Sequence, residues 1–191
     1  MGAGTPESRP RAGRWPIREY AETIIGAVVL AVFIMVFIGR AFTVDGPSML
    51  PTLHGGERLI VDKLTYRFRE PERGDIVVFR YPAEPSHFFI KRVIGVPGDV
   101  IDIRSGYVSV NGVRLIEEYT SARIIGHTGH YVVPEDHFFV LGDNRNNSQD
   151  SRSPSVGYVP RSLIVGRALV RYWPVDRMAI LAPPATAHAG P

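Results

Sequence analysis

Cysteine is absent from the 191-residue sequence, which excludes disulfides, thiolate metal sites and a cysteine nucleophile. The absence leaves the redox compartment open, because a domain of this size can fold without bridges on either side of a membrane. Charge of one sign is also missing. The formal charge is +3, and Arg9, Arg11, Arg14 and Arg18 outweigh Glu7 and Glu19 near the N-terminus. Beyond that arm acids and bases nearly balance, so no nucleic-acid groove is expected. Lysine is scarce: only Lys63 and Lys91 stand among the 22 basic residues. No repeat of fixed period is found, and helical periodicity is hard to find after residue 40. Long apolar runs are confined to one stretch.

That stretch is residues 24–38, extendable to 21–39 if Glu22 sits at the headgroups. It comes close to the roughly 20 residues that a membrane-crossing helix needs. Arginines flank its N-terminal side and only Arg40 lies near the other, so the positive-inside bias puts the N-terminus in the cytoplasm. A cleaved secretory signal, with Gly39-Arg40-Ala41 as a poor cleavage site, and a buried core helix are the competing readings. The expected organisation is a basic cytoplasmic arm at 1–20, a transmembrane anchor at 21–39, an extracytoplasmic β-rich domain at 40–181 and a disordered tail at 182–191. Alternation and β-branched residues predict strands at 42–45, 58–62, 75–81, 88–95, 100–104, 107–110, 113–116, 137–141 and 164–173. Asn111-Gly112 predicts a tight hairpin, since its turn needs positive φ at both central residues. Pro97-Gly98 predicts another turn. Residues 117–134 read as irregular, an exposed loop or small subdomain.

Three segments carry candidate chemistry. Ser48 lies between Pro47 and Pro51, which stiffen a turn; taken alone it reads as a surface turn residue, and the case for catalysis must come from elsewhere. Lys91 lies on the apolar strand 88–95. In a chain that otherwise chooses arginine, it suggests a need for a group that can lose its proton when desolvated. A lysine whose head reaches water is the bland alternative. The third segment, 142–152, is a polar run directly after a strand. It fails the calcium-loop pattern, because Arg145 and Ser148 take positions that need other residues. His127 and His130 lack a third clustered ligand and read as solvent-facing loop residues. Neither a metal nor a cofactor is expected.

Four segments stand in order behind the apolar stretch: PSMLPTL at 47–53, RGDIVVFRYP at 73–82, FIKRVIGVPGD at 89–99 and GDNRNNSQDSR at 142–152. On these the sequence resembles the bacterial type I signal peptidases, or leader peptidases, of the single-anchor kind. The resemblance implies a mostly β fold, an antiparallel β-sheet peptidase domain behind one N-terminal transmembrane helix. It implies a membrane-bound serine endopeptidase that removes leader peptides from exported proteins, cutting after small residues. Ser48 would be the nucleophile and Lys91 the general base, a recognised variant of the logic that joins a hydroxyl to an adjacent base. Ser148 would hydrogen-bond and orient the Lys91 amine. Asp150 with Arg152 would support the site from within, and Asp143 with Asn144 would hold the loop in shape.

The Ser48 amide would be one oxyanion donor, while Gly46, where some relatives carry a serine, leaves the second donor unassigned. Phe42, Val44, Met49, Val78 and Ile90 are expected around pockets for small side chains, with core packing an equal reading for Val78. The accessory β-region is expected in reduced form at 104–135. The implied partners are signal-peptide-bearing preproteins and membrane lipid. Two other functions compete. A self-cleaving repressor-type peptidase also uses serine and lysine, but carries a DNA-binding domain for which this chain has no room. A membrane-tethered β-domain that binds peptides without cutting would be favoured if Ser48 or Lys91 were missing, and both are present.

Overall fold

The computed structural model describes residues 17–37 and 39–184; within helix α1 (Ile17–Phe37) side chains are described for residues 20–30. Strand β1 (Gly39–Thr43) pairs with β2 (Arg58–Asp62), from Gly39 opposite Asp62 to Thr43 opposite Arg58. In β2, Leu59 and Val61 are enclosed while Arg58 and Ile60 face outward, as expected where one face meets a core. Strand β3 (Ile76–Arg80) is enclosed on both faces from Ile76 to Phe79. It lies between β4 (Phe88–Gly95) and β11 (Ile164–Trp173). These strands join β9 (His137–Leu141), β10 (Val159–Pro160) and β12 (Ala179–Ile180) in one antiparallel sheet of eight. Its order is β1-β2-β11-β3-β4-β9-β10, with β12 on β11.

A second sheet, ordered β7-β6-β5-β8, is made of β5 (Val100–Arg104), β6 (Tyr107–Val110), β7 (Val113–Arg114) and β8 (Gly129–Val132). Asn111 and Gly112 both have positive φ, at 52° and 80°. With Val110 paired to Val113 they close the two-residue turn read from the sequence. Ile101, Ile103 and Val108 of this sheet pack with Ile94, Phe139 and Leu141 of the first, so the two sheets share a core. A second core lies around Val77, Phe79, Val93 and Phe138. A third holds Val44, Met49, Leu53, Leu59, Ile76 and Ala168, and it roots the segment that carries Ser48.

Several boundaries differ from expectation. Ile17 to Tyr20, in the expected basic arm at 1–20, belong to α1, and residues 1–16 lie outside the described ones. The first strand was expected at 42–45 but begins at Gly39, because β2 offers five residues for pairing and the chain engages them as soon as it reaches the sheet edge. Gly39, the last residue of the expected 21–39 stretch, thus opens β1. Among the described residues no helix is long and apolar enough to cross a membrane. The second sheet starts at Val100, ahead of the accessory segment expected at 104–135, and includes β8 inside a stretch expected to be irregular. Residues 182–184 have no regular structure, and the rest of the expected tail lies outside the described residues.

Candidate active site

Ser48 sits in a tight turn closed by hydrogen bonds from the Leu50 amide to the Pro47 carbonyl (3.1 Å) and from the Leu53 amide to the Met49 carbonyl (2.9 Å). Met49 and Leu53 are driven into the third core, at 1% and 0% exposure. Burial of these two side chains fixes the turn and leaves Ser48 half-buried between solvent and sheet.

Lys91 reaches that turn from the middle of β4. Its Nζ donates to Ser48 Oγ at 2.8 Å and to the Ile90 carbonyl at 2.9 Å, and it lies 5.0 Å from the centre of the Phe89 ring. The residue is 4% exposed. Burial pushes the amine down from 10.5 to about 8, with the charges of Asp150 and Asp143 pulling the other way. Desolvation prevails, as it must for an ammonium with no carboxylate in direct contact.

The 142–152 loop wraps this pair. Asp143 accepts from Arg92 at 2.8 and 2.6 Å and from the Thr52 hydroxyl at 2.5 Å. One carboxylate thus ties the loop to the neighbour of Lys91 and to the Ser48 turn. Asn144 adds a bond from its amide to the Ser48 carbonyl (3.0 Å) and one from Nδ2 to the Pro47 carbonyl (3.1 Å). Asp150 accepts from both Nε and NH2 of Arg152 at 2.8 Å and from the Gly142 amide at 3.0 Å. Gly142 is required by close approach, since a Cβ there would overlap Ser148 Oγ and come within 2.5 Å of the Ser48 carbonyl.

Ser148 differs from its expected place. Its hydroxyl is buried and has no hydrogen-bond partner, so it does not hold the Lys91 amine; the Ile90 carbonyl makes that contact. The reason is positional: Ser148 is packed onto Gly142 and the backbone side of Ser48. Of the expected pocket residues, Val44 and Met49 are core, Ile90 packs against that same core, and Val78 is 0% exposed. Phe42 stands edge-on to Phe88 at 5.3 Å, with the Arg40 guanidinium over both rings. A cleft of about 600 Å³ lies beside the second sheet, lined by Tyr107, Arg114, Glu117, Arg123 and Arg145, and one of about 520 Å³ borders the loop at Ser148, Asp150 and Arg152.

Arg92, Arg145, Glu117, Tyr119 and Thr52 were not anticipated. Arg145 meets Glu117 through two bonds of 2.7 Å, and Arg92 lies 4.0 Å from the centre of the Tyr119 ring. The one signal that could have pointed to Arg92 is a second charge beside Lys91 on an apolar strand. His127 bonds the Tyr131 hydroxyl, and His130, in β8 and not in a loop, faces Asp102.

A hydroxyl held against an amine that loses its proton near pH 8 can be activated as a nucleophile, which is the chemistry of serine hydrolases with lysine as base. Comparison with known proteins narrows the class. The family model described as signal peptidase, peptidase S26, matches residues 17–173. A signal peptidase I of Leptolyngbya laminosa is 46% identical over 192 residues, covering 94% of this chain and 93% of its own length. Signal peptidase I T of Bacillus subtilis is 36% identical over 170 residues, covering 84% and 87%. A crystal structure of a signal peptidase I from Enterococcus faecalis is 31% identical, with a TM-score of 0.46, covering 52% of this chain and 97% of that one. The chain belongs to the peptidase S26 family of signal peptidases and is a serine peptidase.

Proposed function

We propose that this peptidase removes signal peptides from exported proteins, cutting after small residues, with Ser48 as nucleophile and Lys91 as general base. The 2.8 Å contact between Nζ and Oγ carries the reading. In the neutral amine one N–H stays on the Ile90 carbonyl and the lone pair faces Ser48 Oγ. Oγ attacks the carbonyl carbon of the scissile bond while its proton passes to Nζ, then from Nζ to the departing amine. Water, deprotonated by the same amine, attacks the acyl carbon; the acyl–Oγ bond breaks and Nζ returns its proton to Ser48 Oγ, restoring both groups. The Ser48 amide stabilises the oxyanion. Gly46 has no side chain, so it offers no hydroxyl for a second donor. Asp143, Asn144, Asp150 and Arg152 keep the loop in register.

Ile90 and the half-buried Phe42 would line the pocket, with Val44, Met49 and Val78 as its floor. A floor so filled by side chains leaves room for small residues only. The test is turnover of a leader peptide ending in Ala-x-Ala. Ser48→Ala should lower kcat by at least about 10³-fold with an unchanged far-UV spectrum; near-normal turnover would remove Ser48 from the mechanism.

The reading includes a single-pass anchor within the 21–39 stretch, ending where β1 begins, with the N-terminus in the cytoplasm and 40–181 outside. Two observations support it. The basic arm precedes the apolar stretch, and Ile24, Ile25, Val28, Val29 and Leu30 project from α1 with 55–62% exposure, which suits lipid better than water. Protease added to intact spheroplasts should digest the large domain, and protection until the membrane is opened would reverse the topology.

A further inference from the structure

We propose that Glu117 and Tyr119, on the loop after β7, act as one positioning unit that fixes the 142–152 loop against Ser48 and Lys91. The proposal rests on the dyad reading above. Both carboxylate oxygens of Glu117 receive the terminal nitrogens of Arg145 at 2.7 Å, and Arg145 Nε donates to the Gly142 carbonyl at 3.0 Å. Gly142 is the residue on which Ser148 and the Ser48 carbonyl converge. The Tyr119 hydroxyl donates to Glu117 Oε1 at 2.9 Å. Its ring lies 4.0 Å from the Arg92 guanidinium and 5.8 Å from that of Arg145. Arg92 in turn grips Asp143 and neighbours Lys91 in sequence.

Two residues of the accessory region therefore reach both halves of the site through two buried guanidiniums. The Arg145 side chain is 2% exposed. So enclosed a cation keeps its place only with a counter-charge, and Glu117 supplies it. Backbone lacing supports the same junction: Asn146 Nδ2 donates to the Arg123 carbonyl (2.8 Å) and its Oδ1 accepts from the Ile125 amide (2.9 Å). The aromatic plate of Tyr119 shields the Arg92–Asp143 pair from water, which strengthens it.

Glu117→Gln leaves Arg145 without its counter-charge and slackens its hold on the Gly142 carbonyl. The readout that mere folding support would leave alone is a split between kcat and KM, which reports misplacement of the reacting groups in molecules that are folded.

The test uses the full chain in detergent on the Ala-x-Ala leader peptide, with Glu117→Gln, Tyr119→Phe, Tyr119→Ala and Ser48→Ala in parallel. Glu117→Gln should lower kcat about tenfold or more per folded molecule, with KM within about twofold, because misplacement of the reacting groups acts on the chemical step. Tyr119→Phe keeps the ring over Arg92 and should retain kcat within about threefold, while Tyr119→Ala should fall as far as Glu117→Gln. A wild-type kcat in folded Glu117→Gln overturns the proposal, as does a rise in KM alone. If Glu117→Gln does not fold, the tyrosine pair decides, and equal rates for Phe and Ala at 119 overturn it. Wild-type turnover that does not depend on Ser48 sinks the dyad reading and the proposal with it. Ser48-dependent turnover indifferent to Glu117 and Tyr119 sinks the proposal alone.

Discussion

Replacement of Lys91 by arginine should abolish turnover, with kcat reduced by about 10³-fold or more, the upper part of what positioned acid–base groups contribute. Arginine keeps the charge and cannot give up its proton at working pH. In the wild-type enzyme kcat/KM should rise with pH through about 8, where the buried amine deprotonates. Lys91→Met should be equally inactive and yet more stable. Between the folded value of about 8 and the ordinary 10.5, the unfolded chain binds a proton that the folded chain does not, so stability climbs with pH across that window. Below it the amine is charged in both states and the full burial cost is present, on the order of 3 kcal/mol. Methionine removes that cost. Thermal melts at pH 7 would check this: a Lys91→Met enzyme less stable than wild type would count against the burial cost, and a Lys91→Arg enzyme that still turns over would remove lysine from the base role.

Asp143→Ala should be among the most destabilising changes in the domain. The Arg92 and Asp143 side chains are 3% and 0% exposed, and truncating one partner leaves a guanidinium buried without its counter-charge, at about 3–5 kcal/mol. The Thr52 hydroxyl also loses its acceptor. The double variant Arg92→Met/Asp143→Leu should recover much of that loss, because apolar side chains of similar volume fill the same space without desolvating a charge. Urea unfolding of the three proteins reads both effects. A loss below about 1 kcal/mol for Asp143→Ala would mean that water reaches the pair, against the burial described.

The observed limits of β2, β4, β5, β6, β9 and β11 coincide with those expected. In β2, β5, β6 and β11 a buried face every second residue leaves a pattern in one short window, while β4 and β9 are short runs rich in aromatic and β-branched residues, buried without alternation along much of their length. Strand β8 escaped because Gly129-His130-Tyr131-Val132 buries no residue fully; pairing with β5 makes it a strand, not its own pattern. Strands β10 and β12 have two residues each, too few for any period. At the site, the scarcity of lysine drew attention to Lys91, and its contact with Ser48 spans 43 residues. The Arg145–Glu117 pair spans 28 with no such compositional mark on either partner. Ion pairs between distant loops depend on where the loops fold, so Glu117 and Tyr119 were read only as part of an irregular stretch.

The peptide unit joining Pro47 to Ser48 has a consequence for the direction and strength of one donor. Its carbonyl accepts two hydrogen bonds, from the Leu50 amide and from Asn144 Nδ2, each at 3.1 Å. The bond is not among the cis peptides, which are Leu50-Pro51 and Trp173-Pro174. In a trans peptide the N–H projects opposite to the C=O, so with its carbonyl held toward Asn144, the Ser48 amide is aimed away from the 142–152 loop. Two donors on the oxygen also draw electron density through the resonant amide, leaving its hydrogen more positive, as chains of hydrogen bonds polarise one another. In the proposed mechanism that hydrogen meets the oxyanion already oriented and already polarised, before any substrate arrives.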